Sequence, residues 1–181
     1  MTSIVDKIVV ISGAMEGQRL PYAFGGALAL AFCTERARGT IDIDVNVFVA
    51  RDEAGRVLRS LPPSVSHSDQ DRMVLERDGQ IRLWWEQTPV DVFLDTTDFH
   101  PQVAQRRQVH EFAGRHIPFL GCSDLAVFKA FFNRTKDWAD LEEMIAIGSL
   151  NVDQTLGALV HYLGEDDHRV EKLRRLTVPE G

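Results

Sequence analysis

The clearest alternation of apolar and polar side chains lies between residues 41 and 49. The apolar positions are Ile41, Ile43, Val45, Val47 and Val49, and the intervening positions are Asp42, Asp44, Asn46 and Phe48. A period of two is typical of a β-strand that has one face in the core. The pattern predicts a strand here, with the carboxylates of Asp42 and Asp44 projecting together from the other face.

Upstream of this strand, the pattern predicts a helix, a short strand and a second helix. Apolar residues recur on one helical face over residues 4–15. Residues 22–24 form an apolar run that ends at Gly25-Gly26, and residues 27–32 have high helix propensity. The order strand, Gly-Gly turn, helix is therefore expected before the alternating strand.

Downstream, predicted strands and helices alternate before the chain becomes helical. A helix at residues 52–61 ends at Pro62-Pro63, and Asp78-Gly79 is a typical hairpin turn. Strands are predicted at residues 73–76, 81–86 and 90–94, and an extended segment at 110–120. After a helix cap at Ser123-Asp124, helices are predicted at residues 125–134, 138–147, 153–163 and 167–176.

These elements predict an α+β fold, in which a mixed, twisted β-sheet is flanked by helices and followed by a helical C-terminal part. The predicted core is residues 1–121 and the helical part residues 122–181. A chain of 181 residues suits one compact unit. The hydrophobic share of 44% and the charged share of 26% are those of a globular protein, not of a disordered chain.

Charge and cysteine content narrow the classes of function. The net charge of -7 argues against a protein that coats nucleic acid nonspecifically. No apolar run approaches the ~20 residues that span a bilayer, and the first residues lack the features of a secretory signal. Cys33 and Cys122 show neither a disulfide framework nor metal-finger spacing, and are interpreted as small hydrophobic residues. A cytoplasmic protein without membrane association is expected.

Three aspartates on predicted strands indicate a cation site. Asp42 and Asp44 repel each other unless a cation lies between them. Asp91, flanked by Val90 and Val92, is the best candidate for a third carboxylate on a neighbouring strand. Hard divalent cations such as Mg²⁺ or Mn²⁺ take oxygen ligands and leave positions open for phosphate oxygens. An ordinary exposed strand face is the alternative interpretation of an isolated Asp-x-Asp.

The glycine pair upstream favours the catalytic interpretation. Gly25-Gly26 between a strand and a helix lets the backbone approach a triphosphate, and a helix N-terminus favours anions. A Gly-Gly pair alone is weak evidence, since many turns contain one. Its order with the Asp-x-Asp strand and a second acidic strand is much more specific.

These motifs resemble the DNA polymerase beta-like nucleotidyltransferase superfamily, and in particular the AbiE-type toxin nucleotidyltransferases and their relatives. The similarity begins with the run from Tyr22 through Gly25-Gly26 and continues with the run from Arg38 and Thr40 into Asp42 and Asp44. A later motif is similar to residues Lys129, Arg134, Lys136, Asp137, Asp140 and Leu141. The resemblance covers residues 22–141, and it implies a nucleotidyltransferase fold.

The resemblance also implies roles for individual residues. Asp42, Asp44 and Asp91 would bind Mg²⁺ or Mn²⁺, with Asp91 also acting as general base. The nucleotide would be bound by Gly25, Gly26, Arg38, Thr40 and Lys129. Lys129 would contact the triphosphate, and Asp137 would be a further catalytic carboxylate.

The activity implied is transfer of a nucleoside monophosphate from a triphosphate to an acceptor hydroxyl on RNA or protein, and the AbiE-type resemblance also suggests a role as a toxin–antitoxin component. Two alternatives remain open. A catalytically silent module would bind nucleotide, or an antitoxin or toxin partner, without turnover. A small-molecule enzyme would transfer the nucleotide to an acceptor such as an aminoglycoside, with a deep pocket beside the aspartates.

Several of these residues have ordinary structural interpretations. Arg38 and Thr40 could simply order the loop before the strand, and Lys129 could be a solvated lysine on a helix surface. Arg134 and Asp137 have the spacing of an ion pair on a helix, and Lys129 or Lys136 could relieve repulsion between Asp137 and Asp140. Trp84-Trp85 would place one indole in the core and one free to stack, and Asp95 and Asp98 are interpreted as loop acids.

Overall fold

The computed structural model describes residues 2–36 and 39–177. Within these ranges, the strands are β1 (Tyr22–Phe24), β2 (Ile43–Ala50), β3 (Val65–Ser66), β4 (Gln80–Trp85), β5 (Thr88–Asp95), β6 (Gln108–Phe112) and β7 (Arg115–Phe119). The helices are α1 (Ile4–Gly17), α2 (Gly26–Thr34), α3 (Ala54–Ser60), α4 (Asp69–Asp78), α5 (Phe99–Arg106), α6 (Cys122–Phe132), α7 (Thr135–Ile147), α8 (Val152–Leu163) and α9 (His168–Thr177). None of these helices has both the length and the apolar character needed to cross a membrane.

The strands form one mixed sheet in the order β3-β4-β5-β2-β1-β7-β6. β2 is parallel to β5 and β1 is parallel to β7, whereas the remaining neighbours are antiparallel. Helices accompany this twisted sheet, so the predicted α+β class is confirmed. The parallel pair β2–β5 lies at the middle of the strand order, which places the acidic strands beside each other.

The chain divides into two compact units. The first comprises Met1–Leu28 and Arg38–Leu120, and it contains the whole sheet with α1, α3, α4 and α5. The second comprises Ala29–Ala37 and Gly121–Gly181, and it contains α6 to α9. Among the described residues, the segment 29–36 thus belongs with the C-terminal helices rather than with the sheet.

The alternating pattern of β2 forms part of the core of the first unit. Ile43, Val45 and Val47 are buried, while Asp44 between them is only half-buried. The other face is mixed, because Asn46 and Phe48 on it are buried while Asp44 is only partly covered. The strand begins at Ile43, so Asp42 lies one residue before it.

The segment before Gly79 was predicted to be a strand, and this is wrong. Residues 69–78 form α4, which opens with a capping box in which the Ser68 hydroxyl and the Asp71 carboxylate each bond the other's backbone N–H. Gly79 ends the helix with a φ of +72° instead of forming a hairpin turn. The helix was missed because Leu75 is its one buried residue, which leaves almost no apolar periodicity to detect.

Two boundaries further along also differ from the prediction. The extended segment at 110–120 is a hairpin of β6 and β7, which turns at Ala113 and Gly114, both with positive φ. Helix α6 is capped by Gly121 and not by Ser123-Asp124. The Ser123 hydroxyl oxygen instead accepts a hydrogen bond from the backbone N–H of Asn151 at 2.8 Å.

Cys33 and Cys122 form a disulfide, so their interpretation as small unpaired hydrophobic residues is wrong. Their Cα atoms are 5.6 Å apart although they are 89 residues apart in the chain. The bond joins the end of α2 to the start of α6, within the second unit. Disulfides persist mainly in oxidising compartments, so the two cysteines no longer support the expectation of a reducing cytoplasm.

Candidate active site

Asp44 and Asp91 lie side by side on the two central parallel strands. The register of β2 and β5 pairs Asp44 directly with Asp91. The apolar neighbours of both residues in their strands are buried, so both carboxylates lie on the opposite face of the sheet. The predicted placement of Asp91 on a strand next to Asp44 is confirmed.

Asp42 is held at the entrance to β2 by Thr40. The Thr40 hydroxyl donates to the Asp42 carbonyl oxygen at 2.9 Å, and the Asp42 backbone N–H donates to Thr40 Oγ1 at 3.2 Å. Thr40 therefore orders the loop that presents Asp42. Its contact with a nucleotide stays a prediction, and Arg38 lies outside the described residues.

An arginine that no sequence motif pointed to joins two of the carboxylates. Arg82 on β4 is paired with Asp91 on β5, and its Nε and Nη2 donate to the two Asp91 carboxylate oxygens at 2.8 and 2.7 Å. Nη2 also donates to Asp42 Oδ2 at 3.2 Å. The hydrogen bond to Asp91 is the main reason that the pKa of Arg82 is raised above its ordinary value, and the charges of Asp91, Asp42 and Asp44 add to it.

The three aspartates supply the oxygen ligands that Mg²⁺ or Mn²⁺ prefers. Asp42 and Asp91 already converge on one cationic atom, Arg82 Nη2. Within the described residues, no group of three or more histidine, cysteine or acidic side chains is arranged to hold a metal ion by itself. The chemistry of the donors fits a divalent cation, but the carboxylates would have to move together to surround one.

Gly25 and Gly26 connect β1 to α2 directly beside Asp44, as the predicted strand–turn–helix order requires. The Gly25 N–H donates to the Asp44 carbonyl oxygen at 2.9 Å, and a Cβ on Gly25 would lie 2.9 Å from Asn46 Nδ2. Gly26 has a φ of +52°, and a Cβ there would lie 1.9 Å from Asp44 Oδ2. Only glycine therefore lets the N-terminus of α2 approach the Asp44 carboxylate this closely.

The second unit contains its own cluster of carboxylates and cations. Lys129 Nζ donates to Asp140 Oδ2 at 2.7 Å and lies 3.8 Å from Asp137 Oδ1, while Arg134 binds both Asp137 oxygens. The predicted Arg134–Asp137 pair and the predicted relief of acidic repulsion by Lys129 are confirmed. Lys129 is 7% exposed, so its interpretation as a solvated surface lysine is wrong. Its contact with a triphosphate, and a catalytic role for Asp137, stay predictions.

Trp84 and Trp85 point to opposite faces of β4, as predicted. Trp85 is buried, whereas Trp84 is 48% exposed. Because side chains two apart share a face of a strand, Trp84 and Arg82 lie on the same face. An exposed indole beside the carboxylates is available for stacking, and this role stays a prediction.

Asp95 ends β5 and is not the loop acid that the sequence predicted. It is half-buried, and its Oδ1 is buried with no hydrogen-bond partner in the part of the chain that the structure describes. Burial raises the pKa of Asp95 to about 6. Asp95 therefore differs from Asp91 on the same strand, whose two oxygens are bound by Arg82.

No protein family model matches the sequence, and no curated protein matches it. Solved structures do match over nearly the whole chain. The crystal structure of ANT(2")-Ia in complex with adenylyl-2"-tobramycin has 17% sequence identity, a TM-score of 0.54 and coverage of 97% of both chains. The solution structure of the antibiotic-resistance factor ANT(2'')-Ia has 16% identity and a TM-score of 0.54, with coverage of 96% of this chain and 88% of the other.

These similarities show the class to which the fold belongs. ANT(2'')-Ia is a nucleotidyltransferase, and the chain described here has the nucleotidyltransferase fold. The fold expected from the glycine pair and the acidic strands is thereby confirmed. At identities of 16–17%, the likeness extends to the fold and not to the substrate.

Proposed function

We propose that this protein is a metal-dependent nucleotidyltransferase: an acceptor hydroxyl attacks the α-phosphate of a nucleoside triphosphate, takes up the nucleoside monophosphate and releases pyrophosphate. One observation carries the proposal: Asp44 and Asp91 are in register on parallel strands, beside the Gly25-Gly26 turn. Asp42 completes the set, because it converges with Asp91 on Arg82. In a nucleotidyltransferase fold, this is the arrangement that the chemistry requires.

In this proposal, Asp42, Asp44 and Asp91 hold Mg²⁺ or Mn²⁺. When bound there, the ions would neutralise charge on the phosphate oxygens and make the acceptor hydroxyl easier to deprotonate. Asp91 accepts the proton of the acceptor hydroxyl on one of the two carboxylate oxygens that Arg82 also contacts.

The first turn of α2 is proposed to bind the phosphates. The backbone N–H groups of a first helical turn have no partner within the helix and attract anions. The Gly25 N–H is already used by the Asp44 carbonyl, so the donors to phosphate come from Gly26 onwards. Gly25 lets the turn pack closely against Asn46. Gly26 lets α2 begin directly beside the Asp44 carboxylate.

The acceptor implied by the AbiE-type resemblance is an RNA or a protein, which would fit a toxin–antitoxin pair. A second candidate is a small cationic acceptor such as an aminoglycoside. The ANT(2")-Ia structure whose fold matches this chain contains adenylyl-2"-tobramycin, and a net charge of -7 attracts a polyamine and repels a polyanion. These two observations favour the small acceptor over RNA.

Binding of each nucleoside triphosphate in the presence of Mg²⁺, measured by isothermal titration calorimetry, tests the proposal. We expect the wild-type protein to bind at least one triphosphate, and Asp44→Asn to lower turnover by about 100-fold or more. Asp153→Asn is the matched control, because Asp153 is an exposed aspartate of α8. Nucleotidyl transfer would be refuted if the wild-type protein bound no triphosphate and Asp44→Asn changed neither binding nor turnover.

A labelled triphosphate then identifies the acceptor class. The protein is incubated separately with RNA, with candidate proteins and with an aminoglycoside, and label transfer is measured. Transfer to the aminoglycoside alone supports the small-molecule enzyme. Binding of the triphosphate without transfer to any acceptor supports the catalytically silent module.

A further inference from the structure

Arg82 occupies the position at which two of the proposed metal ligands converge. Its Nη2 lies 2.7 Å from Asp91 Oδ2 and 3.2 Å from Asp42 Oδ2. The register explains this position, because Arg82, Asp91 and Asp44 form one row across β4, β5 and β2. A cation therefore already lies between the carboxylates, and it belongs to the chain itself.

We propose that Arg82 is an internal counter-cation of the site, which holds Asp42 and Asp91 together in the metal-free protein and competes with the divalent cation for them. This inference rests on the proposed function, since it assumes that these aspartates bind metal. It adds a role for a residue outside the aspartate and glycine motifs.

The competition follows from the geometry of a bidentate pair. The Arg82 fork uses both oxygens of Asp91, and its third bond uses Asp42. Mg²⁺ demands near-octahedral oxygen coordination at short range, and two cations on one carboxylate repel each other. Metal binding to Asp91 and Asp42 would therefore weaken the Arg82 contact, because the two cations repel each other on the shared carboxylates.

The exposure of Arg82 makes such an exchange possible. Its side chain is 51% exposed, against 15% for Asp91, so the guanidinium can move into solvent without leaving a cavity. A long arginine side chain can swing aside while its stem stays on the sheet. Trp84 lies on the same face two residues away, and an indole can accept a displaced guanidinium by stacking.

The competition predicts opposite effects of Arg82→Gln on the metal-free and the metal-bound protein. Without metal, the variant should melt at a lower temperature than the wild type, because the carboxylates then repel each other. Added metal should raise the melting temperature of the variant by more than it raises that of the wild type, because no arginine then competes for the carboxylates. In the wild type, the metal must overcome the free energy of the Arg82 ion pair, which for a solvent-exposed pair corresponds to about fivefold in affinity. The variant should therefore bind Mn²⁺ about five times more tightly than the wild type.

The Mn²⁺ affinity is measured by titrating the protein with Mn²⁺ alone and recording the EPR signal of the free ion. Arg77→Gln is the matched control, since Arg77 makes a bidentate pair of the same type with Asp78 on α4, more exposed than the Arg82–Asp91 pair. This control removes the same charge and should leave Mn²⁺ affinity unchanged. A purely structural arginine would lower the melting temperature with and without metal, and would not change the affinity.

The results separate this inference from the proposed function. Unchanged or weaker Mn²⁺ binding by Arg82→Gln, in a wild type that binds triphosphate, overturns the competition and leaves nucleotidyl transfer standing. Failure of the wild type to bind either Mn²⁺ or triphosphate overturns the proposed function and this inference with it. If Arg82→Gln does not fold, Arg82→Lys replaces it. Lysine keeps the charge but loses the two-nitrogen fork, so a gain of about twofold is expected, and no gain refutes the competition.

Discussion

The two units each contain a cluster of aspartates around a basic side chain, and the clusters differ in exposure. In the sheet unit, Arg82 is half-exposed and bridges Asp42 and Asp91. In the helical unit, Lys129 is buried and lies against Asp137 and Asp140. The residue types are similar, and the clusters differ in the exposure of the central basic side chain, which is 51% for Arg82 and 9% for Lys129.

This difference determines what each cluster can do. A charge that is buried with its partners cannot leave them without a large desolvation cost, so the Lys129 cluster behaves as a fixed structural element. An exposed pair contributes little to stability and is screened by salt, so the Arg82 cluster can exchange its cation. Carboxylates that must accept a metal and a substrate are therefore expected at the exposed cluster.

Removal of Lys129 should break the buried cluster with the largest effect. Lys129→Met removes the 2.7 Å donor of Asp140 and the ammonium 3.8 Å from Asp137, and breaking a buried ion pair by removing one partner typically costs about 3–5 kcal/mol. Arg82→Gln should lower the free energy of unfolding of the metal-free protein by no more than about 1 kcal/mol. Urea unfolding monitored by circular dichroism measures both.

The double variant Lys129→Met/Asp140→Asn is the control for this prediction. It also removes the negative charge of the carboxylate that loses its lysine partner in the single variant, so it should recover part of the lost free energy of unfolding. Equal costs for Lys129→Met and Arg82→Gln would contradict the distinction between a fixed and an exchangeable cluster. A triphosphate affinity that falls with Lys129→Met in the folded protein would support the contact implied by the AbiE-type resemblance.

A methyl group on Gly26 should disturb the exposed cluster to an intermediate extent. The Cβ of Gly26→Ala would collide with the Asp44 carboxylate at 1.9 Å, and a positive φ costs a residue with a side chain about 1–2 kcal/mol. We expect the variant to be destabilised by that amount and to lose triphosphate binding, because Asp44 must turn away. Gly157→Ala in α8 is the control, since its Cβ would contact nothing and should stabilise the helix by about 0.5–1 kcal/mol. Normal triphosphate binding by Gly26→Ala would be inconsistent with a functional Asp44 carboxylate.

Asp95 extends the comparison to a partly buried carboxylate for which the described residues show no ion pair. The smallest effect on stability is expected there. Its folded-state pKa is about 6, above the ordinary 3.8, so folding favours the protonated form. Its contribution to stability is fully present below about pH 3.8 and is lost as the pH rises through about 6. Relative to Asp95→Asn, the wild type should therefore melt at progressively lower temperature between pH 4 and pH 7. A difference in melting temperature that does not change with pH would show that Asp95 is not desolvated.

The sequence allowed much of the site to be predicted, because its signals are local. The alternation around Asp44 gave the correct face of β2, and the flanking valines gave that of Asp91. The glycine pair predicted the turn before α2. In each case the pattern within a few residues determines where the side chain points.

Arg82 was missed because its role depends on which strand is its neighbour. With Asp78-Gly79 interpreted as a hairpin turn, β4 was paired with residues 73–76, which are in fact helical. The actual hairpin partner is β5, and this pairing brings Arg82 opposite Asp91. Sheet pairing is a non-local property, so mistaking one helix for a strand concealed the ion pair.

The disulfide was unpredictable for a similar reason, and it has a consequence for the covalent topology of the chain. The bond between Cys33 and Cys122 closes a loop that contains Asp42, Asp44, Arg82 and Asp91. A single protease cut anywhere within this loop leaves both fragments attached to each other. The nicked chain would migrate as two pieces on a gel only after reduction, and every residue of the exposed cluster would stay tethered to the helical unit until then.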